Sequence, residues 1–278
     1  MAIAERPPAT VSADEGAEHL LLADLLSDFA GLRRMLVAET RRGAWTDAFL
    51  LAAGMNQVLE DHLSRDVGEL RKVAQALRTQ SPAGAVAAFA ILNVRGLLLG
   101  LRGQGPAHRR LARGQAQLAS LVDELAAQLI NKEERDGPRL SAASAGVAMQ
   151  LARVPRSLDE AVIRLPSCFR SLDQQPADCA RLAERFATRW PERTRPIAVV
   201  GVRTSGSYLA PLTAACLRKE GFANVEVITI RPGRALGRQE SQVLARIANA
   251  GGKVVLCDDP PDTGAALAAA AAAVKGAG

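Results

Sequence analysis

At 278 residues with a formal net charge of +6, the chain has length for one large or two ordinary domains and can bury a core. The positive balance suits an anionic ligand, a nucleic acid or a plain solvated surface, and its arginines are spread along the chain rather than gathered in a tail. Aromatic residues make up only 3% of it, which argues against a base-stacking platform for single-stranded nucleic acid.

Residues 1–16 hold Pro7, Pro8 and small or acidic residues without periodicity, so they read as a disordered leader; no apolar stretch follows a basic start as in a secretory signal. From about Ala17 the pattern turns helical. Leu22, Leu25, Phe29, Leu32 and Leu36 recur at spacings of three and four, and Gly43 marks an end. A second amphipathic helix is expected over Trp45 to His62 and a third over Val67 to Leu77. Ser81–Pro82 opens a fourth, with Pro at the first helical position, and a fifth covers about Ala107 to Ile130.

The fourth segment, Ala83 to Leu101, is apolar enough to raise the question of a membrane span. Asn93 and Arg95 fall at its centre, where a charge costs about 2.5–3.5 kcal/mol on insertion scales. A helix buried in a bundle is the expectation, with no membrane contact.

The cysteines, Cys168, Cys179, Cys216 and Cys257, form no CxxC pair, and they read as reduced, mostly buried thiols of a cytoplasmic protein. His19, His62 and His108 lie in helix-like sequence without neighbours at metal-ligand spacing, so they read as surface or core histidines.

Lys132 to Arg139 is a charged break, and Leu140 to Pro166 has weak, Ala-rich periodicity, which puts the domain boundary in this region. Three segments are expected: a leader at 1–16, a helical domain at 17–150 and an α/β domain at 151–278. Pro176 introduces a helix over Ala177 to Trp190. Beyond Pro191 come three β-rich runs, Ile197–Val202, Val225–Ile230 and Val254–Cys257. Helical stretches at about Tyr208–Glu220 and Gln239–Ala250 separate them. Strands alternating with helices imply a parallel sheet, whose ligands bind beyond the carboxyl ends of the strands.

Each strand runs into a loop with chemistry in it. After the first come Arg203, Thr204, Ser205 and Gly206, small or hydroxyl-bearing residues beside a cation, suited to an anion but equally to an ordinary capped turn. After the second, Arg231, Arg234 and Arg238 are interleaved with Pro232, Gly233 and Gly237, as in a mobile loop closing over an anion or a solvated basic turn. After the third, Asp258–Asp259–Pro260–Pro261–Asp262–Thr263–Gly264–Ala265–Ala266 sets two carboxylates where sugar hydroxyls could sit. Backbone N–H groups follow, at the start of an Ala-rich helix, where a phosphate could sit.

This last stretch, with the Gly201–Ser207 loop one βαβαβ unit earlier, resembles the sugar-phosphate motif of type I phosphoribosyltransferases, enzymes that use phosphoribosyl pyrophosphate (PRPP). The resemblance covers about residues 167–278. It implies an α/β fold with the parallel sheet of that family behind an all-helical N-terminal domain. It implies that Arg203, Thr204, Ser205 and Gly206 form a pyrophosphate loop, often carrying a cis peptide. Arg231, Arg234 and Arg238 would belong to a flexible catalytic loop. Asp258 and Asp259 would meet the ribose hydroxyls directly or through Mg²⁺, and Asp262, Thr263, Gly264, Ala265 and Ala266 would wrap the 5′-phosphate. Asp262 directly before Thr263 is similar to the arrangement in hypoxanthine-guanine phosphoribosyltransferases, where the corresponding aspartate is the proposed base; with Arg203 it is the candidate catalytic residue. Two departures stand out: many relatives in that family have Ser or Thr where this chain has Ala266, and Pro260–Pro261 removes two backbone donors.

The function implied is transfer of a phosphoribosyl group from Mg-PRPP to a nitrogen nucleophile, a base or an amine, with release of pyrophosphate. A non-catalytic PRPP sensor using the same pocket is the alternative, and nucleic-acid binding through the basic helical half lacks any motif. The acceptor is unidentified. The helical domain is a candidate lid, homo-oligomer interface or docking surface for a protein partner. Because the last helix leads into no further strand, the sheet is expected to be truncated at its C-terminus: either the sequence is a fragment with weak turnover, the favoured reading, or the N-terminal helices and a partner cover what further strands would cover.

Overall fold

The computed structural model describes residues 28–80, 105–131, 136–159, 161, 174–260 and 263–277, with side chains of 64–80 outside the description. The expected leader at 1–16, the start of the first helix, the apolar segment 83–101, Cys168 and Asp262 therefore lie outside the described residues. Among those described, no helix is long and apolar enough to cross a membrane.

The helices come first. α1 spans Phe29–Arg42; the Asp28 side chain accepts from the Gly31 N–H at its start, and Gly43 closes it at φ 73° in the left-handed region. α2 spans Trp45–Gln80 as one helix, where two were expected over 45–62 and 67–77. The residues between them, Leu63–Ser64–Arg65–Asp66, include neither Gly nor Pro, so a lapse in apolar spacing there interrupts no hydrogen bond. α3 (Pro106–Asn131) follows, then α4 (Gly137–Gln150), the short α5 (Arg156–Asp159) and α6 (Pro176–Arg189). Gly137–Pro138, expected as part of a break, starts α4 instead, since Pro is tolerated in a first helical turn.

The second half alternates as expected: β1 (Ile197–Val202), α7 (Gly206–Lys219), β2 (Val225–Ile230), α8 (Arg238–Asn249), β3 (Lys253–Cys257) and α9 (Ala265–Lys275). The fold is a mixed α/β one with many helices around a small sheet. The three strands are parallel in the order β2-β1-β3. Central β1 is buried along its whole length, which is why it reads as an unbroken apolar run rather than an alternating one.

Side chains of β1 alternate between two apolar layers. Ile197 and Val199 join a core with α7 and the helices α1 to α6, including Phe29, Leu51, Leu118, Leu125 and Tyr208. Ala198, Val200 and Val202 face Val243, Leu244 and Ile247 of α8 and Ala270 of α9. The first of these cores runs without interruption from α1 to the sheet. It passes across the boundary expected near residue 150, and α7 forms its centre, buried from Gly206 to Leu217.

Candidate functional site

Register fixes where the three loops emerge. Val202 of β1 is level with Ile230 of β2, and Gly201 is level with Cys257 of β3. The residues that follow, Arg203, Arg231 and Asp258, thus leave the sheet within about one residue of the same height. This is the carboxyl end of a parallel sheet, where such folds form crevices.

Two glycines let the first and third loops touch. A Cβ on Gly201 would lie 2.1 Å from the Gly206 carbonyl oxygen, and one on Gly206 would lie 2.5 Å from the Cys257 carbonyl oxygen. With the backbones so close, Ser205 Oγ donates to Asp259 Oδ2 at 3.0 Å and joins the hydroxyl loop to the acidic pair. The Arg203–Thr204 peptide is cis. Ser207 Oγ, at the second residue of α7, is buried without a hydrogen-bond partner in the structure.

The first acid of the pair is disfavoured as a carboxylate, chiefly by burial. Asp259 N–H donates to Asp258 Oδ1 at 3.0 Å, but burial, the Asp259 side chain and its negative charge together push the Asp258 carboxyl up from 3.8 to about 6. Beyond it, Gly264 takes φ 71° at the start of α9, and Ala265 N–H donates to Thr263 Oγ1 at 3.4 Å. Thr263, Ala265 and Ala266 are exposed. Asp262, the candidate base, has no place in this description.

The arginines divide into two groups. Arg234 and Arg238 are exposed, the first in a turn with Gly233 at φ 72° and the second opening α8. Arg203 and Arg231 are instead taken up by α2. Arg203 reaches Glu60 Oε2 at 2.9 Å and Asp61 Oδ1 at 2.9 Å, and its Nε donates to Thr229 Oγ1 at 2.8 Å. Arg231 Nε donates to Asp61 Oδ1 at 2.6 Å, and its Nη2 pairs with Asp61 Oδ2. Thr229 Oγ1 in turn donates to Glu60 Oε2 at 2.6 Å. From α3, Gln115 Nε2 donates to Asn56 Oδ1 at 3.2 Å, and Asn56 Nδ2 donates to Glu60 Oε1 at 3.0 Å.

This network carries two positive and two negative charges, and it ties α2 and α3 to the carboxyl end of the sheet. Burial pushes the Glu60 carboxyl upward despite the Arg203 charge, because a carboxylate in so enclosed a place loses much hydration. Burial pushes Asp61 upward as well, but the hydrogen bond from Arg231 and the charges of both arginines outweigh it and hold Asp61 below the usual carboxylate range.

Sequence reasoning named Arg203 and Arg231 and missed Glu60 and Asp61. The two acids sit on a helix as an ordinary polar pair, while the arginines that Asp61 meets lie 142 and 170 residues away along the chain and the threonine that Glu60 meets lies 169 away. No local spacing signals such a contact.

Cys179, Cys216 and Cys257 are free thiols; burial pushes Cys216 and Cys257 up to about 12, which leaves them poor nucleophiles. Among the described residues, no three His, Cys, Asp or Glu side chains gather to hold a metal ion. A divalent cation at this sheet end would have to be held by one or two carboxylates together with ligand oxygens, which is the way Mg²⁺ usually binds. Asp258 and Asp259 have the right chemistry, since a cation would relieve the repulsion between them. No protein-family model matches the chain, and neither a curated protein nor a solved structure matches it significantly.

Proposed function

We propose that the chain is a phosphoribosyltransferase-like protein that binds Mg-PRPP at the carboxyl end of its parallel sheet. The single observation that carries this reading is the meeting of two loops. Ser205, in the hydroxyl-rich loop after β1, hydrogen-bonds Asp259 in the acidic loop after β3. A ribose with vicinal hydroxyls needs acceptors, and a phosphate and a diphosphate need donors on either side of it. The acidic pair supplies the acceptors. Thr263, Gly264, Ala265 and Ala266 supply N–H groups at the start of α9 for the 5′-phosphate.

Thr204, Ser205 and Gly206 would meet the pyrophosphate from the start of α7, and Arg234 and Arg238 would approach from the loop after β2. Mg²⁺, held by Asp258 and Asp259 with ligand oxygens, would neutralise charge on the departing pyrophosphate. In the transfer, the bond from C1 of the ribose to the pyrophosphate oxygen breaks and its electron pair leaves with pyrophosphate. A nitrogen lone pair forms the new bond to C1, and the nitrogen's proton passes to a base. Asp262, adjacent in sequence to the phosphate turn, is the residue proposed for that proton.

One observation favours a second reading, a PRPP sensor without turnover. Arg203 and Arg231, two of the cations nearest the expected pyrophosphate position, already neutralise Glu60 and Asp61. A pyrophosphate-release assay with PRPP, Mg²⁺ and a panel of purines, pyrimidines and amines separates the two. Release that depends on both Mg²⁺ and an acceptor supports transfer. Saturable PRPP binding without release supports sensing, and failure to bind PRPP refutes both.

A further inference from the structure

Arg203 and Arg231 share Asp61 unequally. The Arg203 side chain is 5% exposed and is also held by Thr229 and Glu60, so the loss of Asp61 would cost it one partner of several. Arg231 stands farther out, 26% exposed, and grips Asp61 with two N–H groups of its guanidinium. That two-pronged grip is the geometry by which a guanidinium holds a phosphate.

We propose that Asp61 is an internal stand-in for a ligand anion, occupying Arg231 until a pyrophosphate group displaces it, so that anion binding and the docking of this stretch of α2 oppose each other. The inference rests on the reading that the sheet end takes a pyrophosphate-bearing ligand. Charge explains the competition. Two carboxylates and two guanidiniums cancel, so an anion arriving at the intact network meets no net attraction from it. When Asp61 swings aside, Arg231 becomes available while Glu60 still neutralises Arg203. Held below the usual carboxylate range, Asp61 is an ionised competitor at neutral pH. Ligand affinity is thereby reduced by the fraction of molecules in which Arg231 is occupied.

Asp61→Asn keeps the shape and one acceptor oxygen but removes the competing charge. Titration calorimetry with inorganic pyrophosphate should give about tenfold tighter binding to this variant than to the unaltered protein. Adding Arg231→Gln should erase that gain. Equal or weaker binding by a folded Asp61→Asn protein would overturn the inference. Should the variant not fold, hydrogen exchange on the unaltered protein decides: pyrophosphate should speed exchange of the α2 amides at 57–63, and unchanged or slower exchange would refute displacement. PRPP binding that needs Asp258 and Asp259 yet gains nothing from Asp61→Asn would refute this inference alone. If neither protein binds PRPP, the site reading beneath it fails too.

Discussion

The loops after β1 and β3 leave the same end of the sheet and meet through one hydrogen bond, but their charges are handled in opposite ways. Arg203, in the first, is enclosed and neutralised by carboxylates brought from a distant helix. Asp258, in the third, is pushed up to about 6 because burial and a second aspartate outweigh the hydrogen bond from the Asp259 N–H. The first arrangement is what stability favours once a charge is buried. The second keeps an unfavourable like-charge pair that stability alone does not require, and such pairs are common where a ligand brings the missing charge.

Breaking the enclosed side should have the largest effect on folding. Arg203→Ala would leave Glu60 and Asp61 facing each other without their shared cation, and removing one partner of a buried pair typically costs about 3–5 kcal/mol. Urea denaturation should register that loss. Arg234→Ala, at an exposed turn, should stay within about 0.5 kcal/mol of the unaltered protein. Similar losses for the two would mean that the α2 network contributes nothing special.

Forcing the two loops apart comes next. Gly206→Ala would set a methyl 2.5 Å from the Cys257 carbonyl oxygen, a backbone atom with little freedom to retreat. Overpacking of this kind costs about 1–3 kcal/mol, and a thermal melt should shift downward accordingly. An unshifted melt would show that the loops do not depend on that close approach.

The open side should respond to pH. Because the folded-state pKa of Asp258 is raised, the stability tied to its proton is fully present below 3.8 and is lost as pH rises through about 6. Cation-assisted ligand binding needs the ionised form and should run the other way, strengthening as pH climbs through about 6. Asp258→Asn should flatten both trends, as denaturation and PRPP binding measured from pH 5 to 8 would reveal. The smallest effect expected is that of Ser205→Ala, which removes the bridge to Asp259 and should cost about 1 kcal/mol, read as a shift in the urea midpoint.

The same contrast separates what the sequence could tell from what it could not. The bounds of β1 follow directly from the apolar run at 197–202, since a strand buried on both faces is apolar throughout, and those of edge strand β2 follow from the β-rich run at 225–230, in which Glu226 is only partly buried. The residues that end each strand are equally readable, because loop chemistry is local. Helix continuity was harder: apolar spacing lapses near Leu63 while the backbone runs on to Gln80. The contact of α2 with the sheet was not readable at all. Glu60 and Asp61 look like solvated helix residues until the fold carries them to Arg203, Thr229 and Arg231.

Asp258 and Asp259 are proposed to hold the ribose of Mg-PRPP at this sheet end. Titration calorimetry comparing the unaltered protein with the Asp258→Asn, Asp259→Asn double variant tests it most directly. Binding of Mg-PRPP by the unaltered protein, weakened by about a hundredfold or more in the variant while its melting temperature holds or rises, is the predicted result. Equal affinity in the two proteins would contradict the claim.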